Sequence, residues 1–221
     1  MKRLQFLLSF LLVAGLSHSG ANGIPAPSAV IRQAFAAIAS KYAQVRGIKK
    51  YESGYQEKVS IVSFDPARDM SALLQVIRPD LHLLADEGLF SSAQELLDYL
   101  VALNRQPFEG SIDKLNMKVL YGGNKLLGFI GYHRESKEKG NILVVAVDRA
   151  ARAKGYGTML VQDALKQLIK QGVQVVALDT GVDNITAQKC YTRIGFKQIS
   201  QDGKHMHLAY VPGMNKNGVL S

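Results

Sequence analysis

The order of apolar patterns along this 221-residue chain predicts an α/β (α+β) fold, a mixed and mostly antiparallel central sheet flanked by helices, with an extra helix ahead of it. Three observations predict it. Residues 114–121 and 125–134 read as strands on either side of Gly122-Gly123-Asn124, a hairpin turn signal. A continuous apolar run over 142–147 is joined to an amphipathic helix by a short basic stretch with two glycines, Gly155 and Gly157. A second apolar run over 173–180 leads into a helical pattern over 184–194, and Asp202-Gly203 then marks a closing hairpin.

Taken in order, the elements begin with a leader. Met1-Lys2-Arg3 precedes an apolar run over 4–16, followed by small and polar residues that include Ser19 and Ala21, the pattern of a secretory signal peptide over 1–21 cleaved after Ala21 or Ser19. The run is short for a membrane span, which needs about 20 apolar residues, so no stable span is expected. The expectation is export, periplasmic or secreted, with anchoring by an uncleaved leader as the alternative. Residues 22–57 are read as a linker, Ile24-Pro25-Ala26-Pro27, and a helix capped by Ser28 that runs to about Arg46. The catalytic domain is placed at 58–213. Residues 58–64 alternate as its first strand, Asp65-Pro66 opens one or two helices between Met70 and Asn104, and the strands 114–121, 125–134 and 141–147 follow. In the next helix Leu160, Val161, Ala164, Leu165 and Leu168 fall on one face, with Gln162, Asp163 and Lys166 on the other. The sheet ends with 173–180, 196–200 and 205–211.

Composition narrows the function classes. The formal charge is +9, and the chain stays basic without its leader, but the cations are spread along the sequence rather than clustered with aromatics, so nucleic acid is not an expected partner. Cys190 is the single cysteine, which rules out an intramolecular disulfide and any cysteine metal cluster. His205 and His207 alternate on a strand and share a face, the minimum for a metal pair, yet no third ligand is legible and no metal is expected.

Chemistry concentrates at Arg152-Ala153-Lys154-Gly155-Tyr156-Gly157, between strand and helix. Glycines let a backbone approach a ligand closely, and the free N–H groups at a helix start favour an anion, so this junction is suited to a pyrophosphate. One strand and one helix later comes a second segment, Asn184-x-x-Ala187-x-x-x-Tyr191-x-x-x-Gly195-Phe196. Together, R-x-x-G-x-G followed by N-x-x-A-x-x-x-Y-x-x-x-G-F resembles the acyl-CoA motifs of the GCN5-related N-acetyltransferases, the GNAT family, over roughly residues 114–211, with weaker agreement from about Val59.

The resemblance implies the GNAT acyl-CoA N-acyltransferase fold and an N-acetyltransferase that moves an acetyl group from acetyl-CoA, its co-substrate, to a primary amine on a small molecule or a protein. It implies that the strand before the loop splays from its neighbour and that pantetheine meets the backbone of Val145, Ala146 and Val147. Arg152, Ala153, Lys154, Gly155, Tyr156, Gly157 and Thr158 would hold the pyrophosphate. Asn184 would cap a helix or bond the pantetheine arm. Tyr191 would protonate the departing thiolate, and a main-chain N–H, that of Val147, would polarise the thioester carbonyl. For the base that takes the amine proton, Glu135, Glu138, Asp179 or an ordered water stand open. The rival reading is an exported module that binds CoA or a partner without transfer. Neither the acceptor nor the oligomeric state is legible.

Overall fold

The computed structural model describes residues 58–213; the leader, the linker and the helix expected over 1–57 lie outside the described residues. The chain forms β1 (Val59–Ser63), α1 (Pro66–Ile77), α2 (Leu81–Leu84), α3 (Ala93–Leu103), β2 (Asn116–Gly122), β3 (Lys125–Arg134), β4 (Lys139–Val147), α4 (Tyr156–Lys170), β5 (Val175–Gly181), α5 (Ile185–Ile194), β6 (Lys197–Asp202) and β7 (His205–Tyr210). These strands make one sheet in the order β1-β2-β3-β4-β5-β7-β6. Every pairing is antiparallel except β4 with β5, so the mixed, mostly antiparallel sheet expected from the sequence is the one observed.

The helices begin where their caps stand. Asp65 accepts from the Ala67 N–H, and Pro66 opens α1 with a φ already suited to a helix. Ser92 caps α3 by accepting from the Glu95 N–H at 3.2 Å. Between them, three pieces stand in place of the one or two helices expected. Pro79 falls in a tight 3-10 turn over Arg78–Asp80, so the chain leaves α1 at Ile77 and restarts at Leu81 for a single turn.

Apolar residues sort onto the two faces of the sheet. On one face Leu73, Ile77, Leu97 and Leu100 of α1 and α3 pack on Val119, Phe129 and Val144. On the other, Leu160, Ala164 and Leu168 of α4 and Tyr191 of α5 pack on Ile130, Ile142, Val176, Leu178 and Leu208. Gly128 is required where β3 meets β4, since a Cβ there would lie 2.6 Å from the Ala146 carbonyl oxygen.

Candidate active site

Two irregularities in β4 open the sheet. First, β4 pairs with β5 only from Lys139↔Val175 to Ile142↔Leu178. Beyond that point Asp179, Thr180 and Gly181 of β5 keep β7 as partner, and Val144 to Val147 keep β3. Second, the register against β3 steps from Tyr132↔Ile142 to Gly131↔Val144, which leaves Leu143 as an extra, exposed residue. Such a bulge sharpens strand twist and bend, and here it coincides with the parting of the strands. It also reverses the facing of the strand beyond it: Ile142 packs toward α4, whereas Val144 packs toward α1 and α3.

The backbone polarity of the parted edge is set by two hydrogen bonds. Asp148 donates its N–H to the Leu127 carbonyl at 2.8 Å, so Asp148 and, two residues back, Ala146 turn their main chain toward β3. Val147 turns the other way, and its carbonyl accepts from Arg152 Nε at 3.0 Å. By the same alternation Val145 faces the opening. Of the three residues expected to present their backbone, Val145 and Val147 do so and Ala146 is paired with Phe129.

Past β4, Asp148 caps a 3-10 turn over Arg149–Ala151 and is held below the usual carboxylate range, chiefly by its hydrogen bond from Lys125. The chain then passes through two left-handed residues, Ala153 at φ 62° and Gly155 at φ 83°, and enters α4. No side chain caps α4. The first intrahelical bond is from the Met159 N–H to the Gly155 carbonyl, so the N–H groups of Tyr156, Gly157 and Thr158 point out of the helix start. Arg152 to Gly155 are exposed, and a Cβ on Gly155 would meet nothing within 4 Å, so the loop is open to a ligand from the solvent side.

Arg152 is engaged elsewhere. Its guanidinium pairs with Asp80, as does that of Arg149 at 2.9 Å, and Asp80 is buried at 2% exposure. Asp80 therefore ties the turn after α1 to the glycine loop, a role that sequence reasoning missed because nothing local in Arg78-Pro79-Asp80 marks a partner some seventy residues away. Lys154 stays exposed, with no ion pair among the described residues.

The second motif docks beside the first. Thr158 Oγ1 of α4 lies 3.4 Å from Cys190 Sγ of α5, which brings the neighbouring Tyr191 close to the loop's helix. Asn184 caps α5, its Oδ1 accepting from the Ala187 N–H at 3.2 Å, which leaves its amide N–H groups for another partner. Tyr191 is buried against Phe196, with ring centroids 5.8 Å apart, and its hydroxyl has no hydrogen bond among the described residues. Burial first, and then Cys190, raises its pKa, so it is a protonated phenol at any neutral pH.

The three candidate carboxylates separate by position. Glu135 and Glu138 belong to the turn before β4, where Glu135 binds Lys139 and Asn141. At ~3.3 Å per strand residue, that turn is roughly 20 Å from Val145. Asp179 instead sits one residue past Leu178, where the strands part. His205 and His207 share a face as expected, and each has a carboxylate partner: His205 Nε2 lies 3.0 Å from Asp86, and His207 lies between Asp179 and Asp202. Among the described residues no three His, Cys, Asp or Glu side chains assemble as a metal site requires.

A splayed parallel strand pair, a bulge at the vertex and an uncapped helix behind a glycine loop bring both motifs into one site, and the model of the acetyltransferase (GNAT) family matches residues 82–196. The chain belongs to the GNAT family. A mycothiol acetyltransferase of Actinosynnema mirum is 29% identical over 150 residues, covering 66% of this chain and 47% of that protein. An N-alpha-acetyltransferase 30 of Schizosaccharomyces pombe is 36% identical over 64 residues, 29% of this chain and 43% of that one. The chain thus spans less than half the length of these GNAT relatives. Among solved structures, the PaiA N-acetyltransferase of Thermoplasma acidophilum in complex with coenzyme A superposes with a TM-score of 0.56 at 19% identity, over 70% of this chain and 99% of that one, which establishes the shared GNAT fold.

Proposed function

We propose that this protein transfers the acetyl group of acetyl-CoA to a primary amine by direct attack, without a covalent enzyme intermediate. The observation that carries the reading is the continuity of open backbone, from the Val145 and Val147 edge of β4 to the outward N–H groups of Tyr156, Gly157 and Thr158. That path matches an extended, amide-bearing chain ending in a pyrophosphate: the helix start takes the phosphates, Lys154 adds charge, and the strand edge holds the arm.

Each step then has a residue. Asp179, at the vertex of the opening, takes a proton from the attacking amine. The Val145 N–H, nearer that vertex than the Val147 N–H, meets the charge that develops on the thioester oxygen, while Val147 holds the arm. Tyr191, protonated because it is buried, delivers its proton to the leaving thiolate. Asn184 orients the arm with its free amide hydrogens. Most of the acceleration comes from holding amine and thioester together.

The acceptor is a small-molecule or protein amine; the names of the relatives include both mycothiol and an N-alpha position. The basic start, apolar run and small residues of 1–21 support export by a cleaved signal peptide, and fractionation that found full-length protein in the cytosol would refute it. Thiol release from acetyl-CoA with a panel of polyamines, amino sugars and peptides carrying free N-termini or lysines tests the activity. Amine-dependent release supports transfer. Tight binding of acetyl-CoA without release under any amine would favour the non-catalytic module.

A further inference from the structure

Asp80 holds two arginines with one buried carboxylate. Its Oδ1 takes Arg149, through Nε at 3.1 Å and Nη2 at 2.9 Å, and its Oδ2 takes Nη2 of Arg152. Arg149 alone balances the carboxylate, and its Nη2 also donates to the Pro79 carbonyl at 2.6 Å. The second guanidinium is therefore surplus to neutrality, and the cluster keeps a net positive charge. Arg152 is gripped twice on one edge of its planar fork, by the Val147 carbonyl at Nε and by Asp80 at Nη2. Its Nη1 makes no hydrogen bond among the described residues and its side chain is 40% exposed, so the edge formed by Nη1 and the outer hydrogen of Nη2 stays open. Asp148, which precedes the loop, is taken by Lys125 at 2.8 Å.

We propose that Asp80 is a positioning residue for the pyrophosphate of acetyl-CoA: it fixes Arg152 so that the open edge of the guanidinium meets the phosphate oxygens. This rests on the CoA path of the reading above and adds to it a residue from outside both motifs. Arg152 sits on the carbonyl of Val147, the last residue of the open strand edge, where on that path the arm gives way to the pyrophosphate. A long exposed side chain loses rotamer freedom when it binds an anion, and the two-point grip removes that loss before the donor arrives. The fork can then take two phosphate oxygens at once, which a freely turning cation does less well.

Positioning and simple attraction differ in sign when the carboxylate is removed. Asn at position 80 keeps one oxygen, which Arg149 can hold, and turns an amide donor toward Arg152. The site then carries one more positive charge, yet the fork of Arg152 is gripped only at Nε. If net charge governed binding, the donor would bind more tightly. The negative charge of Asp80 is already offset by Arg149, so its removal adds little attraction, whereas the oriented, charge-assisted pair with the phosphates is lost. Weaker binding is therefore expected.

The test is calorimetry of CoA and of dephospho-CoA, which lacks the ribose phosphate and keeps the pyrophosphate, on the wild type, Asp80→Asn, Arg152→Gln and the double variant. Each single variant should weaken both ligands about tenfold. The double variant should bind no more weakly than Arg152→Gln alone, because Asp80 acts through Arg152. Thiol release should show the same split, with KM for acetyl-CoA raised and kcat held. Binding unchanged or tightened in Asp80→Asn would overturn the proposal. So would a loss confined to CoA, which would place the contact at the ribose phosphate, or losses that multiply in the double variant, which would mean that Asp80 acts through the fold alone. If Asp80→Asn does not fold, Arg152→Lys decides: an ammonium keeps the charge without the fork and should lose about as much as Arg152→Gln, and wild-type affinity would overturn the proposal. The expected binding losses with no turnover by the wild type under any amine would refute acetyl transfer and leave the positioning role standing; no CoA binding by the wild type would overturn both.

Discussion

Arg152 donates from Nε to the Val147 carbonyl at 3.0 Å, so the first cation of the glycine loop fixes the end of the strand that opens the site. The same guanidinium meets the buried carboxylate of Asp80, which also takes Arg149. Asp80→Asn keeps the shape and removes the charge from two charge-assisted pairs in a covered position. A loss of about 1–3 kcal/mol in urea unfolding is expected, because hydrogen bonds to charged groups exceed neutral ones. An unchanged midpoint would mean that the two arginines are held by other contacts.

Two glycines of the site should fail for different reasons. At Gly128 a Cβ would press on the Ala146 carbonyl oxygen at 2.6 Å, and backbone cannot swing aside as a side chain can. Gly128→Ala should destabilise by about 2–3 kcal/mol and part β3 from β4. At Gly155 the space is open but φ is 83°, so Gly155→Ala should lower stability by only about 1 kcal/mol through backbone strain. Thermal unfolding of both variants checks the order; equal losses would contradict it.

The range of the forces decides how much of the fold and the site was legible in the sequence. Patterns of apolar residues and turn signals are local, and they placed every described strand; β3 was expected over 125–134 and is observed at Lys125–Arg134. Asn184 stands at the cap of α5, as read from the sequence, because capping chemistry is local as well. The Asp80 clamp, the Asp179–His207–Asp202 chain and the end of the β4–β5 ladder at Ile142 depend on residues far apart in sequence, for which one chain gives no signal. Arg152 is a further case: its motif points to a phosphate, while its Asp80 partner, far away in sequence, leaves no local sign.

Acid should weaken the fold through His133. This ring is 5% exposed, packs edge-on to Phe108 and lies 2.9 Å from Ser111 Oγ; burial brings its pKa down to about 4. The unfolded chain binds a proton near pH 6.5, so between pH 6.5 and 4 it holds more protons than the folded chain, and stability falls as pH falls. From a depression of that size the loss is at most about 3 kcal/mol, fully present by pH 4 and absent above pH 7. Urea unfolding of the wild type and His133→Gln at pH 7 and pH 5 checks the sign. The wild type should lose more than the variant, and equal losses would assign acid sensitivity elsewhere.

On the proposed reading Tyr191 and Asp179 divide the proton chemistry, and their variants should then fail in distinguishable ways. Tyr191→Phe leaves the buried ring against Phe196 and removes only the hydroxyl, so stability and acetyl-CoA affinity should hold while kcat falls about 100-fold. That loss should shrink for an acyl donor whose thiol is more acidic, since a better leaving group needs less protonation. Asp179→Asn should lower kcat by a similar factor through the amine instead, and raising the pH to supply neutral amine should restore part of it. Thiol-release kinetics across pH and across two acyl donors separates the pair. If Tyr191→Phe were as active as the wild type with both donors, the phenol would be a core residue and the thiolate would take its proton from water.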